Sequence, residues 1–305
     1  MSDIYVIGDL HGNLNAYYEN LKSLSLIDDK GKWIGKNCIC IFLGDILADR
    51  HTNGIDILLK IREIKKNAEK NNCQIQLISG NHDYKALLYL FTKSEYTSYK
   101  GTFKGLIEFK KFASDDFQNC NDFDKLRNDS KNIIYNMKNS DKGKNLIEII
   151  KTYKLVYRSG SILFIHTNPT YEILNIILDK GIDYINGIFN KGVASLIHEE
   201  KPINNSLMKE FFYISNIFLL GNRRRNLPNY EKEYIYNNIY DIGIDTIING
   251  HNGFGGLVDR FDKLKVIDID YSFGKKIGEF ENERSILKII NGEIFIGAEK
   301  YKISK

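Results

Sequence analysis

Four ionisable residues, Asp45, Asp49, Arg50 and His51, stand within seven positions directly after the apolar run Cys38 to Leu43. A turn uses one or two polar side chains for local hydrogen bonds, so this density of charge beside a buried segment points to a ligand that needs it. Four other apolar runs close the same way. VIGDLHGN supplies Asp9 and His11, LISGNHD supplies Asn81 and His82, LFIHTNP supplies His166, and IINGHNG supplies His251. Four of the six histidines of the chain fall at these places, which makes coincidence a poor account of them.

Carboxylate, amide and imidazole donors without a cysteine among them suit borderline-to-hard divalent ions, Mn first, with Fe and Zn as alternatives, better than a structural thiolate zinc site. The donors outnumber one tetrahedral site. Two ions about 3.5–4 Å apart can share one carboxylate and stabilise both the entering and the leaving oxygen of a phosphoryl displacement. Asp45, after the second run, is the candidate bridge.

The elements that must bring these groups together are legible as patterns. The runs Ile4 to Ile7, Cys38 to Leu43, Ile75 to Ile78, Ile162 to Ile165 and Thr246 to Ile248 have the length and β-branched content of buried strands. Between the first three lie helical patterns, with Leu14, Tyr17, Leu21 and Leu24 on one face and Ile55, Leu58, Leu59 and Ile61 on another. Strand and helix therefore alternate, an α/β beginning, and ligands of such sheets bind at the carboxyl ends of strands. Residues 95–154 and 171–220 read as helical insertions or caps, and Leu257 to Ile303 as strands and turns. With no internal repeat and no flexible linker, the expectation is one domain over residues 1–305.

Composition bounds the rest. A chain of 305 residues with 43% hydrophobic content can bury a substantial core. The 43 basic and 39 acidic residues leave +4, and no aromatic-interleaved basic strip suggests a nucleic-acid surface. Cys38, Cys40, Cys73 and Cys120 form no C-x-x-C pair and are expected to be reduced and structural. The chain starts MSDIYVIGD without a leader pattern, and no apolar run approaches the roughly 18 residues of a membrane span, so the expectation is a cytoplasmic protein without membrane contact.

In their order, Gly8-Asp9-Leu10-His11-Gly12, Gly80-Asn81-His82-Asp83 and Gly250-His251 resemble the GDxHG, GNH[DE] and GH motifs of the calcineurin-like metallophosphoesterase superfamily. The resemblance implies an αββα sandwich of two mixed sheets flanked by helices. His251 followed by Asn252, and the tail Val266 to Phe280, look like the phosphoprotein phosphatase branch. The same resemblance implies that Asp9, His11 and Asp45 hold one metal, and Asp45, Asn81, His166 and His251 the other. It also implies that a hydroxide held between them attacks phosphorus in line while His82 protonates the leaving oxygen.

The family's GDxxDRG motif departs here, because Ala48 stands at the aspartate place, Asp49 and Arg50 come one residue late, and His51 replaces glycine. Bacterial symmetrical dinucleoside-tetraphosphate hydrolases also have alanine there and read GNHD. A one-residue bulge would restore Arg50 as a bidentate phosphate clamp and Asp49 as the group orienting the acid. The run Arg223 to Arg225 offers a second clamp, with Arg223 as the choice. His51 is expected to face solvent and His198 to end a helix. The leading function is a phosphomonoesterase acting on a phosphorylated substrate, a phosphoprotein before a nucleotide. A nucleotide anhydride hydrolase or phosphodiesterase is the alternative, and a non-catalytic binding scaffold comes from another class.

Overall fold

The computed structural model describes residues 2–47, 51–92, 105–117, 126, 128–198, 206–220, 233, 237–251, 257–261, 264–270 and 285–297. The first half runs β1 (Asp3–Ile7), α1 (Leu14–Ser23), β2 (Cys38–Phe42), α2 (Gly54–Glu69), β3 (Gln74–Ile78), α3 (Asn81–Thr92), α4 (Gly105–Glu108), α5 (Ser130–Asn139), α6 (Asp141–Ile150) and β4 (Tyr153–Lys154). The second half runs β5 (Val156–Ser159), β6 (Ile162–Ile165), α7 (Tyr171–Lys180), α8 (Ile182–His198), α9 (Ser206–Leu220), β7 (Thr246–Asn249), β8 (Leu257–Phe261), β9 (Leu264–Asp268), β10 (Ile286–Ile290) and β11 (Glu293–Ile296).

All five strands read from the apolar runs are present, divided between two sheets. One sheet has the order β11-β10-β1-β2-β3-β4 and the other β5-β6-β7-β9-β8. Strands β1 to β4 are parallel to one another, as are β6, β7 and β9, while β10, β11, β5 and β8 pair antiparallel. Both sheets are mixed, as the resemblance implies.

Alternation of side chains explains why the runs read as continuously apolar. Ile4 and Val6 of β1 and Ile41 of β2 meet Ile162 and Phe164 of β6, Ile248 of β7 and Ile267 of β9 in a core between the sheets. Ile7, Cys38, Cys40 and Phe42 turn the other way, onto helices that include α1 and α2, and Leu163, Ile165 and Ile247 do so on the second sheet. A strand buried on both faces needs no polar alternate. Helix α1 starts where the side chain of Asn13 accepts from Ala16 N at 3.1 Å, satisfying one of its orphan amides.

The stretch 95–154 carries helices, among them α5 and α6, but its last two residues are strand β4, an edge of the first sheet that hydrophobic pattern alone did not suggest. The stretch 171–220 is α7, α8 and α9. No helix among the described residues is long and apolar enough to cross a membrane.

Candidate metal centre

Each polar strand end lies just past a carboxyl edge: Asp9 and His11 after β1, Asp45 after β2, Asn81 and His82 after β3, His166 after β6 and His251 after β7. Because the parallel strands of each sheet run the same way, these edges can meet, and backbone bonds stitch them together. His11 N donates to Asp45 O at 2.7 Å, and Gly250 N donates to His166 O at 3.0 Å. The two sheets are joined by His251 N donating to Asp9 Oδ2 at 3.1 Å and by His166 Nδ1 donating to Leu43 O at 2.6 Å.

His11, Asp45 and His251 have φ of 44°, 48° and 78°. Left-handed backbone at a non-glycine costs on the order of 1–3 kcal/mol and persists where surrounding contacts impose it, often at functional sites. Here it turns three donors inward at the strand ends.

Asp45 is the hub. Its Oδ1 accepts from His82 N at 2.8 Å and lies 3.4 Å from His166 Nε2, while its Oδ2 lies 3.8 Å from His82 Nε2 and 4.0 Å from His11 Nε2. Asn81 Oδ1 is 3.1 Å from His166 Nε2. Asp9 Oδ2 is 3.9 Å from His11 Nε2. Two sets, His11–Asp45–His82 and Asp45–His166–His251, each place one ligand atom per residue within 4.8 Å of the others, and Asp45 belongs to both. The carboxylate fits so closely that a Cβ on Gly80 would lie 2.1 Å from both Asp45 N and Asp45 Oδ1.

The electrostatics of this cluster suit a cation. Burial pushes the Asp9 carboxyl well above the usual carboxylate range, and the Asp270 charge adds to it. Burial works to raise Asp45 too, but His166 and His82 hold it well below that range. Burial alone would lower His166, yet the Asp45 and Asp9 carboxylates bring it up to about 10. With Nδ1–H committed to Leu43 O, His166 turns Nε2 toward two acceptors, Asn81 Oδ1 and Asp45 Oδ1. Among the described residues the buried Asp9 Oδ1 has no hydrogen-bond partner. A metal ion could replace the His166 proton and satisfy these oxygens, with the Leu43 carbonyl orienting the ring behind it. The residues present therefore fit divalent ions.

All seven positions read from the sequence as ligands or acid, Asp9, His11, Asp45, Asn81, His82, His166 and His251, are thus gathered in one place. His82 is partly open, with its side chain 13% exposed. Asp49, Arg50 and Arg223 lie outside the described residues. His51 is exposed, although its backbone N donates to His11 O at 3.0 Å. His198 ends α8 with its Nε2 2.6 Å from Lys151 Nζ, apart from the cluster.

Sequence reasoning gave no role to Asp83, the last residue of the GNHD stretch. It is fully buried, and its Oδ1 accepts from Ile46 N at 3.1 Å and Leu47 N at 2.8 Å while its Oδ2 accepts from Gly80 N at 2.9 Å. It ties the loop after Asp45 to the start of α3. Burial and the neighbouring Asp45 charge push its carboxyl up to about 7, against the pull of those backbone donors. Thr167 was also missed: its Oγ1 donates to Phe218 O at 2.7 Å, anchoring the last turn of α9 beside His166. The bonds of Asp83 to Ile46 N and Leu47 N and of Thr167 to Phe218 O have no local sequence signal.

A family model described as calcineurin-like phosphoesterase matches residues 2–252. Shewanella-like protein phosphatase 2 of Arabidopsis thaliana is 35% identical over 80 residues, 26% of this chain and 20% of that protein. Shewanella-like protein phosphatase 1 of Plasmodium berghei (strain Anka) is 24% identical over 230 residues, 75% of this chain and 54% of that protein. The chain thus spans about half, or less, of the curated relatives it matches. The crystal structure of a cold-active protein-tyrosine phosphatase from a psychrophilic Shewanella species superposes with a TM-score of 0.63 at 16% identity, covering 96% of this chain and 77% of that one. At that identity the likeness is one of fold.

Proposed function

This chain belongs to the calcineurin-like phosphoesterase family, and from that premise we propose that it is a two-metal phosphomonoesterase acting on phosphoproteins. The observation that carries the reading is the double membership of Asp45, which belongs to both ligand sets. Asp9, His11 and Asp45 would hold one divalent ion, and Asp45, Asn81, His166 and His251 the other. The ion leading the choice is Mn, with Fe and Zn as alternatives, on the chemistry of an oxygen and imidazole donor set. When bound, such a pair lowers the pKa of water and polarises phosphoryl oxygens.

The rest of the work falls to the chain itself. By geometry the first ligand set contains His82 in place of Asp9, but His82 is kept as the acid, because its partly open side chain beside Asp45 suits proton donation to the leaving oxygen. Arg50 would grip phosphate in a bidentate manner, Asp49 would orient the acid, and Arg223 would add a second grip. The relatives named as protein phosphatases favour a phosphoprotein substrate. A single unit over residues 1–305, with insertions at about 95–154 and 171–220, and a cytoplasmic location belong to the same proposal.

The test is to strip the purified protein of metal, reload it with Mn, Fe, Zn, Co or Mg, and compare phosphopeptides, para-nitrophenyl phosphate, its bis-ester and a dinucleoside tetraphosphate. Metal-dependent hydrolysis of the monoesters and phosphopeptides is expected. Preference for the bis-ester or the dinucleotide would overturn the substrate assignment, and inactivity on every ester with metal bound would overturn the enzyme reading.

A further inference from the structure

His166 and His251 follow neighbouring parallel strands, β6 and β7, whose ladder stops at Phe164 and Ile248. Their rings lie 5.1 Å apart, centre to centre, at 67°. Past the ladder, two loops free to splay would not keep two imidazoles on one ion. The side chain that joins them is Asn249, the last residue of β7 and fully buried. Its Nδ2 donates to Asn168 Oδ1 at 3.2 Å and to Gly250 O at 3.1 Å. Asn168 stands two residues after His166, and Gly250 directly precedes His251. The amide has one workable orientation, because a flip would set its oxygen against the Gly250 carbonyl.

The bond to Gly250 O also bears on His251 itself. The Gly250–His251 peptide is gripped at both ends: its oxygen accepts from Asn249 Nδ2, and its N–H donates to Asp9 Oδ2 at 3.1 Å. A peptide unit is planar, so holding both ends fixes the plane from which the His251 side chain departs. That residue has φ of 78°, a backbone that surrounding contacts must impose. Gly250 is pressed against Asp9, whose Oδ1 would lie 2.4 Å from a Cβ there. Asn249 is itself mounted on the sheet, since its backbone O accepts from Ile269 N at 2.9 Å and it pairs with Asp268 of β9. A strand-end asparagine often serves only its own turn. The Asn168 bond, spanning 81 positions, reaches beyond that.

Resting on the two-metal phosphoesterase reading, we infer that Asn249 is a positioning residue for the ion assigned to Asp45, Asn81, His166 and His251. Its amide fixes the peptide before His251 and ties it to the His166 loop, so that both imidazoles address one ion. Asp9, assigned to the other ion, holds the opposite end of the same peptide. The two metal sites therefore share a backbone support as well as Asp45.

The experiment titrates Mn into the metal-stripped full chain by calorimetry and compares the wild type with Asn249→Leu, Asn168→Ala, Asn168→Asp and the Asn249→Leu/Asn168→Ala pair. His251→Ala marks which binding step belongs to the ion in question. Asn249→Leu, which keeps the size and removes the donor, is expected to weaken that step roughly 10-fold to 100-fold, the usual cost of losing a group that orients a ligand, and to leave the other step in place. Asn168→Asp keeps an oxygen acceptor for Asn249 Nδ2 and is expected to bind as the wild type does, whereas Asn168→Ala loses affinity in the same step. The pair is expected to lose no more than Asn249→Leu alone, because both substitutions cut one bond. Asn168 is only half-buried, so its variants carry the test where Asn249→Leu does not fold. In the stripped protein, hydrogen exchange at the His251 N–H is expected to accelerate in Asn249→Leu while strand β6 keeps its protection. Both steps weakened alike, neither step weakened, or losses that add in the pair would overturn the inference. A wild type that takes up no second ion would refute the two-metal reading instead, and unaltered exchange at His251 would then show separately that Asn249 holds nothing.

Discussion

Gly80→Ala isolates the fit of the carboxylate hub from the chemistry of the ligands, because it removes no donor. Gly80 is absent from the residues with positive φ, so alanine is not penalised by backbone conformation. The obstacle is space: the new Cβ would fall 2.1 Å from Asp45 N and Asp45 Oδ1 and 2.8 Å from Asp45 Cγ, where ordinary contact begins near 3.4 Å. Neither side yields easily. Gly80 N is held by Asp83 Oδ2 at 2.9 Å, and Asp45 Oδ1 is held by His82 N at 2.8 Å. Relief therefore requires a shift of more than 1 Å at both the backbone nitrogen and the carboxylate of Asp45. Overpacking of this kind costs about 1–3 kcal/mol, and each kcal/mol lowers the melting temperature of a chain this size by roughly 2–4 °C. A displacement near 1 Å in a reacting site costs roughly 100-fold in rate. The assay pairs thermal unfolding with metal content and turnover of para-nitrophenyl phosphate, and the expected result is a modest loss of stability beside a large loss of metal and activity. A Gly80→Ala protein that binds both ions at wild-type affinity and turns over normally would refute the packing argument.

Three further outcomes are expected. His82→Asn keeps its metal content and loses turnover chiefly on esters with poor leaving groups, since a good leaving group needs little protonation; an emptied site would make His82 a ligand. Without metal, His166 is protonated up to about pH 10, and a ligand must be neutral. Metal affinity should therefore rise with pH, by about tenfold per unit below that point, and calorimetry in buffers of different ionisation enthalpy should register at least one proton released; affinity independent of pH would contradict the assignment of His166. Adding Mn at about 100 times its dissociation constant should stabilise the fold by about 2.7 kcal/mol, reversed by chelation, and a melting temperature indifferent to both would deny that these residues bind the ion in the folded state.

Much of the centre was legible because its donors follow strands that announce themselves by short apolar runs. VIGD, FLGD, LISGN, LFIH and IINGH each placed their polar residues past the right strand. The division of those strands between two sheets was not in the runs themselves, since Ile4 and Phe164 look alike until the inter-sheet core shows them facing each other. Two-residue β4 is too short to carry a period, and it exists because Leu77 and Ile78 offer it a paired edge. Glu108 and Thr167 escaped for another reason. Each acts across a long sequence separation, on Ile55 N and Phe218 O, and no spacing pattern links a residue in an insertion to a backbone amide in another helix.

The central claim is that one carboxylate, Asp45, serves two ions. Electron paramagnetic resonance of the Mn-loaded protein addresses it directly, because two Mn ions about 3.5–4 Å apart on a shared carboxylate couple magnetically and a single ion does not. The wild type should show the coupled signal at two ions per chain, and Asp45→Ala should lose it. An uncoupled signal from the fully loaded wild type, or a coupled pair that survives in Asp45→Ala, would contradict the account.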